Sequence, residues 1–143
     1  MKVKDTTLQD YPELLALWEN SVRATHDFIT EQDITSFKPM ILEQAFPVVS
    51  LKCIKNNNNV ILGFIGIHQQ KVEMLFILNE ARGQGIGKKL MEYAIAELSV
   101  NRVDVNEQNP LAIGFYQHLG FKVTSRSPVD DMGKPFPILH LKL

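Results

Sequence analysis

Short apolar runs alternate along this chain with stretches in which apolar residues recur at helical spacing, and the order of the two predicts the layout. Val72 to Leu78 (V-E-M-L-F-I-L) carries one charge, Glu73, and is otherwise apolar on both faces, as a strand inside a sheet requires. Past a glycine-rich turn, Ile86, Leu90, Met91, Ala94, Ile95 and Leu98 fall on one stripe. Lys88, Lys89, Glu92 and Glu97 lie largely off it, which predicts an amphipathic helix. Upstream, Leu14, Leu15, Leu17, Trp18 and Val22 mark another helix, with Asp10 placed to cap it and Pro12 in its first turn. Trp18 reads as core. Thr30 is placed to cap a further helical stretch reaching Ala45, which Pro39 should kink or split. That broken, partly apolar segment reads either as a lid over a substrate or as ordinary packing.

The remaining pattern is strand-like. Lys2 to Lys4 is a short edge strand. Val48 to Lys55 and Val60 to His68 are rich in β-branched residues and flank four asparagines, Asn56 to Asn59, which tolerate the backbone of a hairpin turn. Gln69 to Lys71 then turns into the Glu73 strand, completing an antiparallel meander. Later, Arg102 to Val105 is a strand, and Pro110 to Leu119 a helix that Asn109 caps and Gly120 stops. Phe121 to Ser127 and Phe136 to Leu141 form a final hairpin around the Pro128 to Gly133 turn. The order β-α-α-β-β-β-α-β-α-β-β predicts an α/β (mixed α+β) fold, a single central mixed sheet of about seven strands flanked by helices. No repeat or linker divides the 143 residues, which suit one domain, 1–143, burying about two-thirds of the unfolded surface.

The turn between the Glu73 strand and its helix carries the chemistry. Gly83, Gly85 and Gly87 alternate with Arg82, Gln84 and Ile86, and Lys88 follows. Glycines admit positive φ and let a ligand approach the backbone. Free N–H groups and the helix dipole then favour an anion. The spacing is neither G-x-x-x-x-G-K-[ST] nor G-x-G-x-x-G, so two common nucleotide-binding loops are disfavoured. What fits is R-x-x-G-x-G, Arg82 to Gly87.

Composition removes other classes. Net charge is −1, with 15 basic and 16 acidic residues spread along the chain, so no nucleic-acid partner is expected. No apolar run approaches the ~20 residues that span a bilayer, so no membrane role is expected. M-K-V-K-D-T-T does not resemble a signal peptide. The single Cys53 lacks a disulfide partner, and His26, His68, His118 and His140 are isolated and lack ligand spacing. The expectation is a cytoplasmic, metal-free domain, acting as a monomer or homodimer.

The Arg82 to Gly87 loop resembles the acetyl-CoA pyrophosphate loop of the GNAT superfamily of N-acetyltransferases. A second signature of that superfamily, N-x-x-A-x-x-x-Y followed by x-x-x-G-F, is matched by Asn109, Ala112, Tyr116, Gly120 and Phe121. The resemblance covers nearly the whole chain and is weakest over residues 1–50. The tail S-R-S-P-V-D-D-M-G-K-P-F-P-I-L-H-L, with V-D-V-N-E-Q-N before it, looks like the bacterial YjaB-type acetyltransferases. The chain departs from many relatives in having Asn79 where they have proline. The resemblance implies a sheet splayed between the Glu73 and Arg102 strands, with the pantetheine arm of acetyl-CoA along Phe76, Ile77 and Leu78. It places the pyrophosphate on the amides of Arg82, Gly83, Gln84, Gly85, Ile86, Gly87 and Lys88. Asn109 inherits a pantetheine contact, beside its capping role.

The implied reaction is acetyl transfer from acetyl-CoA to an amine of a small molecule or protein, by direct attack in a ternary complex. A non-catalytic acyl-CoA-binding module of the same fold is the alternative. A lysine-like amine is neutral in only about one molecule in a few thousand at pH 7, so a base or a water chain must assist. Glu73 is the candidate base, its pKa raised by burial toward the working pH; the other reading is a carboxylate at the sheet margin, paired with a cation. Tyr116 is the candidate acid that protonates the departing thiolate, with core packing as its other reading. The amine acceptor is expected to enter by the His26 to Phe28 turn, where His26 and Phe28 offer a polar tip and an apolar wall.

Overall fold

A computed structural model describes residues 2–25 and 29–143. Seven strands form one sheet: β1 (Val3–Asp5), β2 (Ser50–Lys55), β3 (Ile61–His68), β4 (Lys71–Ile77), β5 (Arg102–Asn106), β6 (Lys122–Ser127) and β7 (Ile138–Lys142). Their spatial order is β1-β2-β3-β4-β5-β7-β6. Helices α1 (Tyr11–Thr25) and α2 (Glu31–Met40) precede β2; α3 (Ile86–Leu98) follows β4 and α4 (Pro110–His118) follows β5. The sequence order is recovered, with the meander β2-β3-β4 and the hairpin β6-β7 antiparallel as expected.

Alternation along the strands builds two cores, because successive side chains leave opposite faces of a sheet. Ile54 and Ile65 pack with Ile86, Leu90, Met91 and Tyr116 under α3 and α4. Their neighbours Cys53 and Phe64 pack with Leu14, Leu17, Trp18 and Ile34 under α1 and α2. The first turn of α3 is seated close to β3, where Gly63 leaves no room: a Cβ there would lie 2.8 Å from Ile77 Cδ1 and from Ile86 Cγ2. Gly63→Ala should therefore destabilise the protein by about 1–3 kcal/mol through overpacking. A denaturant midpoint unchanged from the parent would show that α3 does not sit this tightly.

At the N-terminal half the two helices begin differently. Thr30 caps α2, its hydroxyl accepting from the Asp33 N–H at 3.1 Å, as expected. Asp10 does not cap α1. A 3₁₀ turn over Leu8–Asp10 precedes that helix, and Asp10 Oδ2 accepts from the Thr7 N–H at 2.8 Å. The chain thus enters one turn earlier, with Asp10 as the acidic partner of a capping box. Pro39, which has no N–H to give, leads into a π-helical turn over Ile41–Ala45 rather than into a second α-helix.

The decisive feature is where the sheet opens. Among the described residues β4 and β5 are the only parallel neighbours, and they pair through just Lys71↔Arg102 and Val72↔Val103. On its other side β4 pairs with β3 as Ile67↔Val72 and then Gly66↔Met74, leaving Glu73 as an extra, bulged residue. A bulge bends its strand and sharpens the twist, which ends pairing on the far side. From Glu73 onward the strands part. The same bulge corrects the expectation for Glu73: the side chain is not buried but exposed, with its Oε1 3.8 Å from Lys71 Nζ.

Candidate active site at the strand fork

The gap between β4 and β5 is a cleft with a cavity on each face of the sheet. On the α3 and α4 face a space of about 340 Å³ is lined by Phe76, Ile77, Arg82, Gly83, Gly85, Ile86, Gly87, Lys88, Asn109, Phe115 and Tyr116, with Ser21 and Thr25 from α1. On the other face a space of about 420 Å³ is walled by Trp18, Val22, Ile29, Phe37 and Ile41. Its floor and rim carry Glu73, Asp104, Asn106, Asp130 and Asp131. Leu75, Phe76, Asn109, Ala112 and Tyr116 line both. The fork is the passage between them.

The first cavity suits an extended ligand with an anionic group. Gly85 precedes α3 with φ of 78°, in the left-handed region that glycine adopts without strain. That conformation turns the chain so that the first amides of α3 open onto the cavity, where the helix dipole favours negative charge. Arg82 and Lys88 are exposed, and among the described residues neither enters an ion pair. The β4 edge beyond Val72 is without a β5 partner, so its backbone can pair with an amide-bearing chain lying in the gap. These features fit coenzyme A: phosphates on the loop, pantetheine along the edge. Asn79 donates its N–H to Asn20 Oδ1 at 2.8 Å, tying the loop to α1.

Of the residues expected in this site, Gln84 is exposed and Leu78 packs between the two cores, so neither lines the cavity. His26 and Phe28 lie outside the described residues. Asn109 caps α4, its Oδ1 accepting from the Ala112 N–H at 3.2 Å, while facing both cavities. Tyr116 is 6% exposed and stacks edge-on against Phe115 and Phe121. Packing and an opening onto the fork are thus both realised in one residue. Burial pushes its phenol above the usual range, and among the described residues its hydroxyl makes no hydrogen bond. A protonated donor without a partner among the described residues therefore stands at the junction of the two cavities.

The second cavity holds residues that the sequence reading missed. Asp104 is bonded at Oδ1 to His140 Nδ1 (2.7 Å) and at Oδ2 to Lys71 Nζ (2.5 Å). Despite the cost of partial burial, Lys71 is held more firmly protonated by its bond to Asp104 and by the charges of Asp104, Glu73 and Asp131. Asn106 Oδ1 is buried with no partner among the described residues. His140, isolated in the sequence, is therefore not isolated in space. Alternation of V-D-V-N against I-L-H-L is the signal that could have shown it, since it sets Asp104 and His140 on one face. Among the described residues, no three His, Cys, Asp or Glu side chains converge as a metal site, and no helix is long and apolar enough to cross a membrane.

Comparison with known proteins agrees with this geometry. Residues 22–137 match the acetyltransferase (GNAT) domain family. The chain is 38% identical over 141 residues to the peptidyl-lysine N-acetyltransferase YjaB of Escherichia coli K12, covering 99% of this chain and 95% of that one. The solution structure of apo YjaB from E. coli superimposes with a TM-score of 0.89 at 37% identity, over 99% of this chain and 95% of that one. The PaiA N-acetyltransferase of Thermoplasma acidophilum, crystallised in complex with coenzyme A, shares the fold with a TM-score of 0.73 at 21% identity, covering 99% and 98% of the two chains.

Proposed function

The chain belongs to the GNAT acetyltransferases and moves an acetyl group from acetyl-CoA to an amine, and we propose that this amine is the side chain of a protein lysine. The observation that carries the proposal is the second cavity: apolar walls for a methylene stem, ending in the carboxylates of Glu73, Asp104 and Asp131 beside the fork. Such a site attracts an ammonium group and holds its aliphatic stem. The similarity to peptidyl-lysine N-acetyltransferases points the same way.

In this reading the unit that acts is the single domain 1–143, a cytoplasmic monomer or homodimer without a nucleic-acid partner. Arg82, Lys88 and the amides from Gly83 to Gly87 hold the pyrophosphate. The open edge at Phe76 and Ile77, with Asn109, aligns the pantetheine arm and polarises the acetyl oxygen. Glu73, exposed on its bulge, takes the ammonium proton through water, leaving the amine free to attack. As the new C–N bond forms, the C–S bond breaks and its electron pair leaves with the sulfur, while the second amine proton, released as the amide forms, passes through water to that sulfur and gives free coenzyme A. Tyr116 donates to that sulfur. A phenol above its usual ~10 is a weaker acid than a thiol of ~8.5. Complete proton transfer is therefore uphill, and the main contribution is a hydrogen bond to the developing thiolate. Acceptor entry beside His26 and Phe28 is part of the same proposal, since Val22 and Ile29, on either side of that segment, line the cavity.

The test is acetyl-CoA turnover over lysine peptides, polyamines, free amino acids and peptide N-termini, with products read by mass spectrometry. Acetylation on lysine Nζ, above every other class in kcat/KM, is expected. Preference for a small polyamine would reassign the acceptor. Coenzyme A binding with no product from any amine would make the chain a binding module.

A further inference from the structure

The second cavity is held in place by a chain of polar side chains that begins outside it. Ser127 Oγ on β6 is 2.7 Å from His140 Nε2 on β7, and His140 Nδ1 is 2.7 Å from Asp104 Oδ1 on β5. Asp104 Oδ2 then meets Lys71 Nζ on β4, which lies 3.8 Å from Glu73 Oε1. Register explains the line. Asp104 pairs with His140 and Ser127 with Ile138, so the four strands β6, β7, β5 and β4 present these groups on one face. Asp104 is also the first β5 residue past the last β4–β5 pair, Val72↔Val103, and so stands opposite the Glu73 bulge at the mouth of the fork. Asp104 lines the cavity, whereas Ser127 and His140 do not; they reach it from behind.

The hydrogen bonds fix the orientation of each group. An ionised Asp104 only accepts, so His140 Nδ1 carries the proton and donates to it. Nε2 and the Ser127 hydroxyl share the second hydrogen bond of the ring. Each ring nitrogen is satisfied and the imidazole has one orientation, which in turn fixes one oxygen of Asp104. His140 and Lys71 take two of the roughly four acceptor sites of the carboxylate, leaving sites for a further donor from the cavity.

We infer that Asp104 orients the acceptor's amine at the fork and that His140 and Ser127 are positioning residues that hold it there. This rests on the reading of the second cavity as the acceptor site. An amine displaced by an ångström from the line of attack loses much of the benefit of being bound, so a carboxylate locked from behind is worth more than a mobile one. Glu73, exposed on its bulge and only 3.8 Å from Lys71 Nζ, is left to move the proton.

Four variants test it, each first shown to be folded by circular dichroism: Asp104→Asn, His140→Leu, His140→Asn and Ser127→Ala. Steady-state kinetics with a lysine peptide, and calorimetry with acetyl-CoA, supply the readouts. Asp104→Asn is expected to raise the acceptor KM by about 10–100-fold, the loss of one charge-assisted bond, with acetyl-CoA affinity unchanged. His140→Leu should move the same parameter in the same direction. His140→Asn, which restores an N–H donor near the position of Nδ1, should recover most of the loss. Ser127→Ala should show a smaller rise. The inference is overturned by an Asp104→Asn protein with the parent's acceptor KM. Equal impairment of His140→Leu and His140→Asn also overturns it, as does an acetyl-CoA affinity that falls in step with the acceptor KM. Because the parent is assayed alongside, a parent inactive on lysine peptides would instead remove the reading of the cavity on which this rests.

Discussion

Tyr116→Phe should bind acetyl-CoA as the parent does and turn over roughly 10–100-fold more slowly. The ring stays, and with it the edge-on contacts to Phe115 and Phe121, so the cavity wall is preserved. What is lost is one hydrogen bond to a developing charge, about 1.5–3 kcal/mol at a desolvated site. The pH dependence sharpens the test. Burial raises the phenol's pKa, so the hydroxyl remains protonated through the range in which a free tyrosine begins to ionise near 10. Rates of both proteins should climb with pH as the acceptor amine loses its proton, and their ratio should stay constant from about pH 7 to pH 9.5. A ratio that shrinks toward one at the alkaline end would mean that the phenol ionises early and that burial does not protect it. Equal rates at all pH would reduce Tyr116 to a packing residue.

Gly87→Val should weaken coenzyme A binding by about 10–100-fold while leaving the fold intact. Gly87 lies within α3, and a Cβ there would sit 3.4 Å from Phe115 Cζ and 3.8 Å from Ile77 Cδ1, across the cavity that the loop closes. Branched methyl groups would fill that space and push a phosphate off the first amides of the helix, at a cost of one bond of about 1.5–3 kcal/mol to a charged group. Gly85 makes a poorer test. Its φ of 78° strains any residue with a Cβ by about 1–3 kcal/mol, so lost binding would be confounded with lost stability. Calorimetry that finds the parent's affinity in folded Gly87→Val would move the phosphate site away from this loop.

The parts of the site legible in the sequence are those whose backbone demands a particular residue. Left-handed φ before α3 calls for glycine at Gly85, the start of α4 calls for a cap and finds Asn109, and both are visible in one dimension. Tyr116 is legible because it shares the α4 spacing with that cap. Glu73 was misjudged because a bulge depends on pairing with β3, which no local pattern announces, and the bulge turns a buried position into an exposed one. Asp10 was misjudged on a smaller scale: it supports a cap at Thr7, and the 3₁₀ turn between them is not distinguishable by propensity from a helix start. The Ser127–His140–Asp104 line was hidden for a different reason. Ser127 and His140 share the final β6–β7 hairpin, but Asp104 joins them only because β7 is inserted between β5 and β6, a non-sequential pairing that the strand patterns suggest but do not fix. Phe37 and Ile41 were visible as apolar positions, but that they wall a cavity depends on how α2 lies over the sheet.

The central claim is that two substrates meet from opposite faces of the sheet and react directly at the fork. Among the described residues the one thiol, Cys53, is fully buried under α1 and α2 with its pKa raised by desolvation, so it offers no carrier for the acetyl group. A matrix of initial rates over acetyl-CoA and lysine-peptide concentrations tests this most directly. Intersecting double-reciprocal lines, with neither substrate alone giving labelled protein or free coenzyme A, are the predicted result. Parallel lines, accompanied by an acetylated protein after exposure to acetyl-CoA alone, would contradict it.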